Sequence, residues 1–315
     1  MNIAILGVGG VGGYFGAKIC RAREALGAQV YFLARGAHLA AIRDRGLTVR
    51  TSSEGAIHCR PTLVTADVEE LPALDACLVC VKGYDLKRVV ERLAPRVSPA
   101  TEIVPLLNGI DIEDRIRAAL PDALIHPGCV FIATHLEKPG LVLQDGGPRR
   151  ILYGRTRAEI REASLLAEVF AASSINHERY EDIRPALWTK FMFIAPFGMV
   201  TACFDRTLGD VMASDELGSS VRAVMAEVGA IAAAMGVALP ATIVEDSFRK
   251  GADFPPTTRT SFQRDVAVPD RPDERDLFGG TIIRLGERHG VATPRTRELE
   301  AAIDARKPPR GEDTP

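Results

Sequence analysis

Gly7-Val8-Gly9-Gly10-Val11-Gly12 is the stretch whose residue types and spacing most directly imply chemistry. A G-x-G-x-x-G turn that joins a strand to a helix is built to hold a pyrophosphate. Gly7 permits the sharp turn, Gly9 lets the backbone approach the phosphates, and Gly12 lets helix and strand pack closely. The helix N-terminus then offers N–H groups and the positive end of its dipole to the anion. The implied ligand is a dinucleotide. Arg35 refines it, because the end of the strand over 29–34 carries no acid for a ribose 2′-hydroxyl. A guanidinium there suits a 2′-phosphate, which points to NADP(H). Lys82 and Asn108 each follow an apolar run, 76–81 and 102–107. Open parallel sheets bind ligands at that end of their strands. A cofactor or substrate role for these two stands beside a plain turn role, since Asn-Gly is a favoured turn pair.

The elements that must position these residues follow from hydrophobic periodicity. Ile3-Ala4-Ile5-Leu6 reads as a buried parallel strand, and 11–26 as the helix after the glycine turn. Further strands are expected over 29–34, 47–50, 57–64, 76–81 and 102–107, with helices over 37–45 and 86–93. Residues 123–154 read as an antiparallel addition with turns at 138–140 and 146–148, and 159–172 as a closing helix. The composition changes near Asp182-Ile183-Arg184-Pro185. Beyond it, apolar residues recur at helical spacing over 186–204, 215–235, 240–249, 277–289 and 296–306. Pro196 is expected to break or kink the first of these. The fold class is thus α/β: a Rossmann-type doubly wound sheet over 1–183, then an all-helical domain over 184–306. The tail 307–315 has nothing to bury and is expected to be disordered.

Composition narrows the function classes. A chain of 315 residues can hold two domains, and 46% hydrophobic with 25% charged residues is ordinary for a globular protein. The net charge of −2 gives no reason to expect nucleic acid or an anionic membrane as a partner. No continuous apolar run approaches a membrane span and no leader pattern opens the chain, so a cytoplasmic location is expected. Cys77 and Cys80 match C-x-x-C but lie in a strand, where positions three apart face opposite ways. Buried reduced thiols are expected, and the six histidines show no metal-ligand spacing, so no metal is expected. The helical half carries more apolar face than one small domain buries, which raises a homodimer as an expectation.

The second half also carries Leu187-Trp188-Thr189-Lys190-Phe191, Thr260-Ser261-Phe262-Gln263-Arg264-Asp265 and Arg271-Pro272-Asp273-Glu274-Arg275-Asp276-Leu277-Phe278-Gly279-Gly280. With the glycine turn, Val81-Lys82 and Leu107-Asn108-Gly109, the chain resembles the ketopantoate reductase (2-dehydropantoate 2-reductase) family over all but its tail. That family's late motifs read W-x-K, then S-M-x-x-D and G-R-x-T-E-I-D-x-x-N-G. The resemblance implies NADPH-dependent reduction of a small 2-oxo acid to a 2-hydroxy acid. It implies Lys190 as the catalytic lysine, Glu274 as its partner carboxylate and Asn108 between nicotinamide and substrate. Ser261 would bind the substrate carboxylate and Lys82 would lie near the cofactor ribose. The chemistry is coherent, because an ammonium can stabilise the oxygen charge that follows hydride arrival and supply its proton.

Two departures bear on the substrate. Ile194, Gly198 and Leu208 stand where family members acting on ketopantoate carry asparagines. An unpaired hydroxyl in such a pocket costs about 1–3 kcal/mol, so a less polar 2-oxo acid or another carbonyl compound is expected. One extra residue also lies between Asp265 and Arg271, so rigid counting from Ser261 selects Asp273 while the flanking motif selects Glu274. An imine substrate and a non-catalytic NADP(H)-binding sensor are the alternative readings.

Overall fold

Ile3, Ala4, Ile5 and Leu6 are wholly buried, as a strand covered on both faces requires. In the computed structural model, which describes residues 1–157, 165–269 and 272–307, they form β1, Asn2–Leu6. Contacts divide the chain into two units: Met1–Leu107 with Ile112–Ile183, and Asn108–Asp111 with the chain from Arg184 onward.

The first unit runs β1, α1 (Gly10–Arg21), β2 (Gln29–Leu33), α2 (Gly36–Arg45), β3 (Leu47–Thr51), β4 (Ala56–Cys59), β5 (Leu63–Thr65) and β6 (Ala76–Val79). It continues with α3 (Gly83–Leu93), β7 (Glu102–Pro105), α4 (Ile112–Ala119), β8 (Leu124–Ile125), β9 (Gly128–Lys138), β10 (Leu141–Gly154), α5 (Leu165–Ala172) and β11 (Asn176–Tyr180). Six strands make a parallel sheet in the order β5-β2-β1-β6-β7-β8. The order reverses between β1 and β6, so the carboxyl end of β1 lies at the switch point where doubly wound sheets bind ligands.

A second sheet, β11-β10-β3-β4 with β9 on β10, replaces part of the expected antiparallel addition. β10 runs parallel to both β3 and β11, and antiparallel only to β9. The turn expected at 146–148 is instead an irregularity inside this one long strand, with Gly147 at φ +77° and register shifts around Gly146. The single strand expected over 57–64 is two. Pro61, with no N–H to donate, separates β4 in the second sheet from β5 in the first. Of the helix expected over 159–172, residues 159–164 lie outside the described residues.

The second unit is helical: α6 (Arg184–Phe204), α7 (Leu208–Ala213), α8 (Asp215–Ala234), α9 (Ile243–Arg249), α10 (Ser261–Val266), α11 (Gly279–His289) and α12 (Pro294–Arg306). α6 is apolar nearly all round, so it is the core helix, contacted by α8, α9, α10 and α12. Pro196 does not break it. The helix runs through with Pro196 itself buried, and packing on several sides offsets the lost N–H. Averaged over a window, α6 and α8 are long and apolar enough to span a membrane, contrary to the reading of continuous runs. In α6, however, 72% of that window is buried inside the protein, which marks it as a core helix. Lys307, placed in the tail by composition, is held by Asp273 at 3.2 Å and by the Asp265 carbonyl at 3.0 Å. Residues 308–315 lie outside the described residues.

One half-buried acid carries a stability prediction. Burial, then the neighbouring Asp304, raises the Glu300 carboxyl to about 7. Its Oε2 has no hydrogen-bond partner among the described residues. The folded-state value lies above that of an unfolded glutamate, so the native state holds the extra proton and stability falls as pH rises from about 4.5 to about 7. Glu300→Gln is therefore expected to raise stability at pH 8 by on the order of 2 kcal/mol, with little difference at pH 4.5. Denaturant titrations at the two pH values read this directly.

Candidate active site

The glycine turn has the geometry its spacing predicts. Gly7 sits at φ +94°, and a Cβ there would come within 2.7 Å of the Val81 nitrogen and 2.8 Å of the Cys80 carbonyl oxygen. A Cβ on Gly12 would collide with the Gly7 carbonyl oxygen, so only glycine lets α1 sit this close to the end of β1. Around Gly9 the space is open, with no described atom outside its immediate chain neighbours within 4 Å of where a Cβ would lie. The first turn of α1 contains no acid, so its N–H groups face no negative side chain of that turn. This cradle fits a dinucleotide pyrophosphate.

Arg35 begins α2 as its N-cap and does not stand alone. Its guanidinium grips Asp85 with two nitrogens, Nη1 to Oδ1 at 3.2 Å and Nη2 to Oδ2 at 2.9 Å. Arg88 donates to the same carboxylate at 2.8 Å. Asp85 lies in the first turn of α3, whose N-cap is Lys82, so this acid fastens Arg35 beside the helix that Lys82 opens. Arg35 remains 66% exposed, leaving much of the guanidinium open to a ligand. No motif in the sequence marks Asp85 or Arg88. Their one signal is a position just after an apolar strand.

In the helical unit, α6 presents Lys190, half-buried, and Nζ donates to Oδ1 of Asn108 at 3.0 Å. Eighty-two residues separate the two. Gly109, at φ +122°, turns the chain just after Asn108. Ile110 packs on the helical core. Asp111 Oδ2 accepts from the Thr281 hydroxyl at 3.1 Å and pairs with Arg284 at 3.4 Å. These contacts fasten the short segment Asn108–Asp111 to α11 and set the amide against Lys190.

Asp273 and Glu274, adjacent in sequence, have different surroundings. The Asp273 side chain is 3% exposed, bound by Arg275 through Nε and Nη2, each at 2.8 Å, and by Lys307. Despite its burial, the Arg275 guanidinium holds its carboxyl below the usual aspartate range. Arg275 also pairs with Asp304 on α12. Asp273 is thus committed to this ionic clamp. Glu274 is buried to 6% exposure, and its carbonyl accepts from the Leu277 N–H at 2.9 Å. Ser261 is exposed as the first residue of α10, which Thr260 caps. The Thr260 hydroxyl also meets that of Thr201 on α6 at 2.9 Å.

The three positions that lack asparagines are apolar in fact as well as in type. Ile194 is half-buried and Leu208 is buried. Gly198 faces Phe262, whose Cβ would lie 3.6 Å from a Cβ added there. A side chain there would start in van der Waals contact with the phenylalanine.

A glycine turn at the switch point of a parallel sheet, followed by an all-helical unit, is the organisation of a Rossmann-type oxidoreductase. The chain belongs to the ketopantoate reductase PanE/ApbA family, whose sequence model matches residues 3–158 and whose C-terminal model matches residues 182–307. It is 28% identical to a 2-dehydropantoate 2-reductase of Mesorhizobium japonicum, covering 93% of this chain and 94% of that one. The crystal structure of a PanE/ApbA family ketopantoate reductase from Ralstonia eutropha superposes with a TM-score of 0.84 at 28% identity, covering 97% and 98% of the two chains. A D-mandelate dehydrogenase solved with NADH and anilino(oxo)acetate shares the fold, with a TM-score of 0.83 at 22% identity over 97% and 98%.

Proposed function

We propose that this protein reduces the ketone of a 2-oxo acid to a 2-hydroxy acid with NADPH, Lys190 acting as general acid. The observation that carries the reading is the Lys190–Asn108 hydrogen bond of 3.0 Å. A reduced nicotinamide, when bound, supplies the hydride. Lys190 donates a proton from Nζ to the ketone oxygen as negative charge develops on it. Asn108 holds that Nζ through Oδ1, and its amide NH2 remains available to donate to substrate. Glu274 is the carboxylate proposed to set the lysine's protonation. Asp273 is not proposed, because Arg275 and Lys307 already engage it. The Ser261 hydroxyl is proposed to bind the substrate carboxylate.

Gly7, Gly9 and Gly12 are proposed to seat the pyrophosphate, and Lys82 to contact the adjacent ribose. Arg35, oriented by Asp85, is proposed to pair with the 2′-phosphate. Losing one charge-assisted contact of this kind removes roughly 1.5–3 kcal/mol, so Arg35→Ala should raise the KM for NADPH by about 10–100-fold. The KM for NADH should change far less. Equal loss with both cofactors would remove Arg35 from phosphate recognition. A cytoplasmic location fits a soluble cofactor and a small-molecule substrate.

Ile194, Gly198 and Leu208 favour a substrate less polar than ketopantoate. The test is NADPH oxidation by the purified protein against a panel of 2-oxo acids that includes ketopantoate. Turnover of apolar members is expected, with ketopantoate about tenfold or more less efficient. Ketopantoate at the top of the panel would end the less-polar reading, and no turnover of any 2-oxo acid would end the whole proposal.

A further inference from the structure

α6 advances about 100° per residue, so side chains three and four apart share a face. Lys190, Phe193, Ile194 and Phe197 therefore lie along one stripe, and the helix face that carries the ammonium is apolar for its next two turns. Phe193 is the start of an aromatic ladder. Its ring stacks on Phe254 with centroids 5.4 Å apart and planes at 16°, and meets Phe197 at 4.9 Å. Phe197 stacks on Phe248 at 5.8 Å, and the Arg222 guanidinium covers Phe248 at 3.5 Å.

The two ends of the ladder differ. The inner end is closed by Arg222, whereas Phe254 at the outer end is 43% exposed. Phe254 is also held in place by its neighbours. Pro255 and Pro256 follow it, the Thr258 N–H donates to the Pro255 carbonyl at 2.9 Å, and the Gly209 N–H to the Pro256 carbonyl at 2.9 Å. The Leu208 N–H donates to the Thr258 carbonyl at 2.9 Å, so the residue in a family asparagine position also anchors this segment. A half-exposed ring stacked on Phe193, one helical turn beyond Lys190, is a prepared apolar surface and not an isolated exposed side chain.

We infer that Phe193, Ile194 and Phe254 form the side-chain subsite for a 2-oxo acid that carries an aromatic group. The proposal rests on the reading of Lys190 as the group that faces the ketone. Offset or edge contacts with Phe254 and Phe193 would hold an aryl ring, and Ile194 would pack on its edge. No hydrogen-bonding group of these three side chains rewards a hydroxylated substituent.

The probes are phenylpyruvate and pyruvate, which share a 2-oxo acid head and differ by the phenyl ring. With NADPH, kcat/KM is expected to favour phenylpyruvate by at least about tenfold, chiefly through KM. Phe254→Ala should narrow that ratio by about tenfold, and Phe254→Tyr should largely restore it. Calorimetric binding of phenyllactate, the corresponding product, to the NADP-loaded protein needs no turnover and should weaken in parallel in Phe254→Ala. A ratio near one in the parent protein, or equal loss for both substrates in Phe254→Ala, would overturn the subsite. So would kinetics unchanged by Phe254→Ala together with a change in oligomeric state, which would make the ring a contact between copies. Failure of the Lys190 reading looks different: turnover survives Lys190→Ala, or phenyllactate binds and no 2-oxo acid is reduced.

Discussion

Lys190→Ala is expected to lower kcat for any reduced substrate by about 10²–10⁴-fold, the range for removing a positioned general acid. NADPH affinity, followed by the fluorescence of bound nicotinamide, should remain within about threefold, because the residues proposed to seat the pyrophosphate, ribose and 2′-phosphate lie in the other unit. The fold should persist, since alanine is the best helix former and α6 is held by its apolar contacts. Asn108→Ala should cost less, about tenfold, because it removes the oxygen that orients Nζ and leaves the ammonium itself. Turnover unchanged in Lys190→Ala would take this residue out of the mechanism.

The second large effect separates two glycines of one turn. In Gly12→Ala the new methyl meets the Gly7 carbonyl oxygen, a backbone atom that can move only by displacing α1 from β1. A destabilisation of about 1–3 kcal/mol is expected, seen as a lower Tm with or without cofactor. In Gly9→Ala the methyl enters space free of described atoms, so the Tm of the protein alone should hold. Its affinity for NADPH should instead fall by about tenfold or more, because the methyl takes the place of an approaching phosphate. A Gly9→Ala protein that binds NADPH normally would show that the pyrophosphate does not rest on this turn.

The parts legible in the sequence share a physical cause. The turn at Gly7, the buried strand of Ile3 to Leu6 and the apolar length of α6 arise from local patterns that few alternative structures satisfy. Other features depend on contacts distant in sequence. Nothing local to Pro61 says that the strand pieces on either side enter different sheets. Pro196 carries a helix-breaking signal that the surrounding helices override. Arg35 was visible as a charge at a strand end, but its partner Asp85 lies fifty residues on. Counting from Ser261 selects Asp273 and the flanking motif selects Glu274, but neither shows that Arg275 and Lys307, the latter thirty-four residues on, bind Asp273.

The segment Asn108–Asp111 has a consequence for dissecting the protein. It belongs by its contacts with the helices, although the chain on both sides of it belongs with the sheet. The helical unit is therefore discontinuous in sequence, and a cut at Ile183 does not release it whole. A fragment beginning at Arg184 would carry Lys190 without the oxygen it donates to, and Thr281 and Arg284 without Asp111. The complementary fragment would carry Asn108 without Lys190, and Asp111 without Thr281 and Arg284. Expressed apart, neither piece is a complete folding unit, and the lysine–amide pair exists only in the uncut chain.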